Sequence, residues 1–171
     1  ENKKMQQLAF KEQIQLANEL KLPIVIHARD AYPDVIEILK ENPVDKKGVF
    51  HCCQLNQELV REALELGFYI SFAGSITFKN TNHAEPVIEM VPKDRLLIET
   101  DSPYLSPEPN RGQRNDSSNL IYIARKIAKV KGMTEEEVAE QTFKNANKIF
   151  GIRTRRTKKD EKLEEKTSKD A

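Results

Sequence analysis

The sequence predicts an α/β fold on a parallel sheet, either a small open sheet or half of a TIM-type (β/α) barrel. Two observations predict it. Four short apolar, β-branched runs alternate with amphipathic helical segments, and three of those runs end in His or Asp. At 171 residues, 38% of them hydrophobic, the chain is long enough to bury one sizeable core.

In chain order, residues 1–21 place Leu8, Phe10, Ile14, Ala17 and Leu20 at helical spacing, so the sequence opens inside a helix. Leu22-Pro23-Ile24-Val25-Ile26-His27 follows as a strand expected to be buried on both faces. Residues 33–40 are predicted helical through Val35, Ile36 and Leu39; Gly48-Val49-Phe50-His51 is the second strand, and 56–66 a helix closed by Gly67 in a left-handed cap. The third strand is Phe68-Tyr69-Ile70-Ser71-Phe72. A short helix lies near 84–90, and Leu96-Leu97-Ile98-Glu99-Thr100-Asp101 is the fourth strand. After a polar loop over 103–116, Ser117 or Ser118 is expected to cap a helix carrying Leu120, Ile121, Ala124, Ile127 and Ala128. Thr134-Glu135-Glu136-Glu137 has capping-box spacing and opens a last helix that ends at Gly151. Residues 1–152 therefore form the predicted domain. Residues 153–171 are nearly all charged or small polar and are predicted to be a disordered tail.

Charge and cysteine content narrow the function classes. The formal charge is +1, and the tail carries eight Lys/Arg against five Asp/Glu, which leaves 1–152 at −2. A broad basic face therefore does not explain any attraction for nucleic acid, and bound cations are the better source. Cys52 and Cys53 are adjacent, so they neither staple distant segments nor form a CxxC site. No apolar stretch approaches the roughly 20 residues of a bilayer span and no leader pattern opens the sequence, so a cytoplasmic location is expected.

The chemistry is carried by strand ends. His27, His51 and Asp101 each close a predicted strand at its carboxyl end, and in a parallel barrel those ends share the rim where active sites form. Singly, each has a structural explanation, as a hydrogen-bonded histidine or a turn aspartate. Their repetition at equivalent positions points to metal binding. Imidazole and carboxylate suit Zn²⁺, Mn²⁺ or Mg²⁺, which polarise phosphoryl or carbonyl oxygens. Two histidines and one carboxylate are too few for two metals, so either one ion sits here or further ligands lie outside this sequence.

The segments LPIVIHARD (22–30), GVFHC (48–52), GFYISFAGSITFKN (67–80), RLLIETDSPYLSP (95–107) and NRGQRN (110–115), in this order, resemble the later barrel strands of TatD-type metal-dependent deoxyribonucleases. The resemblance runs from about residue 5 to residue 152, and IETDSPYL is its most specific motif. It implies the carboxyl-terminal half of a (β/α) barrel with a pair of divalent metal ions at its rim. It also implies His27 and His51 as metal ligands, with Asp101 as a ligand near the attacking water and its general base. The family's early His-x-His and middle-strand Glu would precede Glu1, so the chain is expected to be a fragment, inactive by itself. The sequence departs from the family pattern at Cys53-Gln54-Leu55-Asn56 and at Asp116-Ser117-Ser118.

Further candidates are Arg29, Lys79, Tyr104 and Arg111 as substrate contacts, and Glu99 as a residue orienting a ligand. Arg29 alternatively pairs with Asp30 or Glu99, and Lys79 is alternatively a solvated loop residue. Ser75, Thr77 and Arg114 lie in the same loops, and His83 is expected to be exposed. Cys53 is expected to be a small buried thiol, not a nucleophile. The resemblance implies hydrolysis of DNA, single-stranded or from an end. Alternatives are hydrolysis of another ester or amide, such as an aminoacyl ester, and a non-catalytic nucleic-acid-binding protein using Arg153-Thr154-Arg155-Arg156.

Overall fold

The β-branched runs form strands where expected, but shorter. In the computed structural model, which describes residues 2–81 and 83–152, β1 is Ile24–Ile26, β2 Gly48–Phe50, β3 Tyr69–Phe72 and β4 Leu96–Ile98. Six α-helices alternate with them: α1 Asn2–Leu20, α2 Tyr32–Glu41, α3 Gln57–Glu65, α4 Ala84–Met90, α5 Leu120–Lys131 and α6 Glu135–Phe150. The strands pair in sequence order and all in parallel, with Ile26 opposite Phe50, Phe50 opposite Ile70, and Phe72 opposite Ile98.

Side chains alternate across the strands. Ile26, Phe50, Ile70, Phe72 and Leu96 fall on the face that forms the main core with Ile36, Leu59, Val87 and Ile127 of the helices. On the other face Val49, Tyr69 and Leu97 form a smaller cluster under Ala146 and Ile149 of α6. Asn145 fastens that helix to the sheet, its buried amide donating to the carbonyls of Lys93 and Leu96 at 2.8 and 2.7 Å. Gly48 lets β2 lie against β1, because a Cβ there would sit 2.0 Å from the Ile24 carbonyl oxygen.

Two expectations are corrected, for β1 and for the start of the fifth helix, while α1 forms as expected. Strand β1 is not buried on both faces: it stands at the end of the sheet, and Val25 is 58% exposed. In α1 only Ile14 and Ala17 are buried, while Leu8 and Leu20 are exposed, because only α2 packs extensively against it among the described elements. The start of the fifth helix is capped by Asp116, whose side chain accepts from the Ser118 N–H; a 3₁₀ turn over Ser117–Asn119 precedes α5, which buries Ile123 and leaves Ile121 half in solvent. The capping box at Thr134 and Glu137 forms, and Gly67, Gly132 and Gly151 all have positive φ. Among the described residues no helix is long and apolar enough to cross a membrane. The expected tail, 153–171, lies outside the described residues.

Candidate metal centre

The parallel register brings the two histidines together. Ile26 and Phe50 are the last paired residues of β1 and β2, so His27 and His51 leave neighbouring strands at the same height. The His51 N–H donates to the Ile26 carbonyl at 3.0 Å, and the two imidazole centroids are 5.5 Å apart. Glu99 stands one residue past β4, with its N–H on the Phe72 carbonyl at 3.0 Å. Asp101 was expected on the strand itself but lies three residues beyond Ile98, in a turn where its carbonyl accepts the Tyr104 N–H at 2.8 Å.

Glu99 organises this cluster. Its Oε1 lies 2.7 Å from His51 Nδ1 and also accepts the backbone N–H of Cys52. That second bond turns Cys52 into the left-handed region, with φ of 41°. A carboxylate at Nδ1 assigns the imidazole proton to that nitrogen and leaves the Nε2 lone pair free, as metal-binding histidines require. Nε2 faces Asp101 Oδ1 at 3.9 Å. Metal–donor distances near 2.0–2.2 Å allow two donors up to roughly 4 Å apart to share an ion. The donor set thus fits a divalent cation, with His51 and Asp101 as the central pair and exposed His27 beside them. Among the described residues no three His, Cys, Asp or Glu side chains gather as a complete metal cage.

The adjacent thiols stay protonated at neutral pH. Burial, reinforced by the charges of Glu99 and Asp101, pushes Cys52 up to about 11. Burial pushes Cys53 up to about 12, and Cys53 is only 5% exposed. Neither is an activated nucleophile.

The remaining candidates spread over the surrounding loops. Arg29 is exposed, with its Nε 3.9 Å from Asp30 Oδ2 and no bond to Glu99. Lys79 and Tyr104 are exposed, Tyr104 to 71%. Arg111 lies over Phe78, its guanidinium carbon 3.7 Å from the ring centroid. Arg114 and His83 are exposed. The segment after β3 is not an open loop: Gly74–Thr77 form a 3₁₀ turn with Ser75 and Thr77 partly covered, and Thr77 Oγ1 accepts the Glu108 N–H at 2.9 Å.

Sequence reasoning missed what holds the 103–116 loop. Buried Asn115 donates through Nδ2 to the Tyr104 carbonyl at 2.7 Å and through its backbone to the Pro103 carbonyl at 3.0 Å. Its Oδ1 accepts from Asn119, whose Oδ1 in turn accepts from Asn110. Gly74 makes room for the same loop, since a Cβ there would lie 2.1 Å from the Leu105 carbonyl oxygen. The only signal was the asparagine at each end of NRGQRN.

Comparison with known proteins agrees with this architecture. Residues 1–151 match the family described as TatD related DNase. A metal-dependent hydrolase of Bacillus subtilis, YabD, is 47% identical over 88% of this chain and 59% of its own length. The metal-dependent hydrolase YcfH of Escherichia coli is 43% identical over 89% of the chain and 58% of its own length. The crystal structure of YjjV, a TatD homologue from Escherichia coli, superposes with a TM-score of 0.83 at 25% identity, over 88% of this chain and 58% of that one. The chain thus spans somewhat over half the length of these relatives, and its four parallel strands are part of the TIM-type barrel class.

Proposed function

This chain belongs to the TatD-related DNase family, and on that premise we propose that it forms part of a divalent-metal-dependent hydrolase cleaving phosphodiester bonds in DNA, single-stranded or at ends. The observation that carries this is His51 held between Glu99 at 2.7 Å and Asp101 at 3.9 Å, beside His27, at the carboxyl rim of a parallel sheet. A divalent ion bound there supplies Lewis-acid polarisation of the scissile phosphoryl group. His27, His51 and Asp101 are the residues that would hold such ions, two in the complete site. Asp101, a carboxylate with 37% of its side chain exposed, is open to accept a proton from the attacking water. Glu99 fixes the His51 tautomer. Arg29, Lys79 and Arg111, exposed around the rim, offer cations to the substrate backbone, and Tyr104 a ring face for a base. Two unpaired cysteines suit a reducing, cytoplasmic setting.

Three rim donors are too few for two ions, so activity is expected to require further ligands from polypeptide that this chain does not contain. The test joins the chain to the portion of the Bacillus subtilis relative that lies outside the match. Chelator-sensitive cleavage of single-stranded DNA with Mg²⁺ or Mn²⁺ is expected, and Asp101→Asn is expected to lower its rate about 10²- to 10⁴-fold. A joined protein that binds metal but leaves DNA intact and hydrolyses another ester keeps the site and replaces the substrate. No metal binding at all removes the proposal, and DNA cleavage by the 171 residues alone removes the need for other ligands.

A further inference from the structure

The opposite end of the sheet carries a cleft that the metal centre does not use. Its volume is about 490 Å³, within the range of small-ligand sites, and its lining includes Lys21, Lys46, Lys47, Arg95 and Lys148 but no Asp or Glu. The placement follows from the strands. Lys47 immediately precedes β2, Arg95 immediately precedes β4, and Lys21 stands three residues before β1, so the amino ends of three strands present cations to one space.

Helix C-termini attract lysines, and this accounts for Lys148 in the last turn of α6 and Lys21 just after α1. It does not account for Lys46, Lys47 or Arg95, which stand outside the α-helices. The same helix end accounts for the backbone of Lys21, whose φ of 55° is the left-handed cap of α1, with the Leu22 N–H on the Ala17 carbonyl and the Lys21 N–H on the Asn18 carbonyl. It does not account for the backbone of Lys47, whose φ of 60° lies in a region that costs an L-residue ~1–2 kcal/mol and usually selects glycine or asparagine. Lys47 is held there by its N–H on the Val44 carbonyl and its carbonyl on the Ile24 N–H, while its stem lies over Gly67. Strain of this kind concentrates at functional positions.

The charge is largely uncompensated. Only Arg95 is paired, through Nη1 to Asp94 Oδ2 at 2.8 Å, and its guanidinium lies 5.3 Å from the Tyr69 ring centroid. Lys21, Lys46, Lys47 and Lys148 have no ion pair among the described residues. Leu22 and Phe150 add an apolar wall. Four ammonium groups without ion pairs among the described residues, gathered around one small cleft with the guanidinium of Arg95 beside them, suit a compact polyanion. We propose that this cleft binds a ligand carrying two or more linked phosphates. It shares no residue with the metal centre, so it stands or falls independently of the hydrolase proposal.

The probe is inorganic tripolyphosphate, titrated calorimetrically at low salt into the metal-free 171-residue chain. Saturable one-to-one binding is expected, weakened at least tenfold by the double substitution Lys47→Gln, Lys148→Gln and unchanged by Lys4→Gln on the exposed side of α1. Both lysines are exposed, and unchanged circular dichroism melting will show that the double variant folds. Absence of saturable binding overturns the proposal, as does equal binding by the double variant, which would move the anion to other lysines or arginines. Competition by a nucleoside triphosphate then identifies a free nucleotide as the source of the phosphates, whereas competition only by a 5′-phosphorylated oligonucleotide identifies a nucleic-acid end.

Discussion

At the carboxyl end of the sheet the polar groups are fastened, and at the amino end they are loose. His51 is fixed by Glu99, Glu99 by the Cys52 N–H, and the Asp101 backbone by the Tyr104 N–H, with His27 the exposed exception. At the amino end four of the five cations that line the cleft lack a carboxylate partner among the described residues. The backbone is bent into left-handed conformations at both ends, at Asp30, Cys52 and Leu105 on one side and Lys21 and Lys47 on the other. The ligands proposed for the two ends would account for the difference. A metal ion needs donors placed to a few tenths of an ångström, which demands hydrogen-bonded support. A phosphate cluster is satisfied by flexible point charges.

That contrast is sharpened most by Glu99→Gln. The substitution keeps the shape and an acceptor for the Cys52 N–H but removes the charge beside His51 Nδ1. In the completed barrel, calorimetric affinity for Mn²⁺ or Zn²⁺ is expected to fall about 10- to 100-fold. Tripolyphosphate binding at the other end should stay as it was. Equal metal affinity in the variant would show that the rim histidine needs no carboxylate support.

These groups differed in how far the sequence revealed them. His27 and His51 were legible because each is the first residue after a β-branched run, and a parallel register converts that repetition into proximity, here 5.5 Å between rings. Asp101 was legible as a rim residue, and the turn explanation offered for it also fits, but the end of pairing at Ile98 was not legible, since the apolar run continues without a break up to Glu99. The Glu99 bond to His51 joins residues 48 apart, a pairing that periodicity could not reveal. The open face of β1 was misjudged because three apolar residues in a row look the same on a central strand and on an edge strand. The burial of Asn115 was not legible, because an asparagine in a polar loop reads as turn chemistry, and its bonds to Tyr104 and Asn119 appear only in the folded loop.

Asn115→Ala is the next largest effect. It leaves the Tyr104 carbonyl and the Asn119 amide without their partner in a site where Asn115 is 1% exposed. A loss of about 1–2 kcal/mol in urea unfolding is expected, because buried groups left unpaired cost their desolvation. The fastened character of the carboxyl rim predicts more than lost stability. Faster hydrogen exchange at the Tyr104 amide, which bonds the Asp101 carbonyl, should accompany it. Unchanged exchange there would mean that the asparagines hold the loop without holding Asp101.

The smallest effect tests whether any substrate cation at the carboxyl rim is fastened too. Arg29 meets only Asp30, loosely and in solvent, and Lys79 is exposed, so both resemble the amino-end lysines. Arg111 differs, because Phe78 holds its guanidinium at 3.7 Å from the ring centroid. Phe78→Leu keeps apolar bulk under the arginine and removes the ring face. An exposed cation–π contact contributes about 0.5–1 kcal/mol, so single-stranded DNA affinity of the completed barrel should weaken only about two- to fivefold. In a double-mutant cycle with Arg111→Gln, the two substitutions should be less than additive, since each removes the same contact. Additive losses would show that Phe78 and Arg111 act separately, so that Phe78 does not fasten the guanidinium as Glu99 fastens His51.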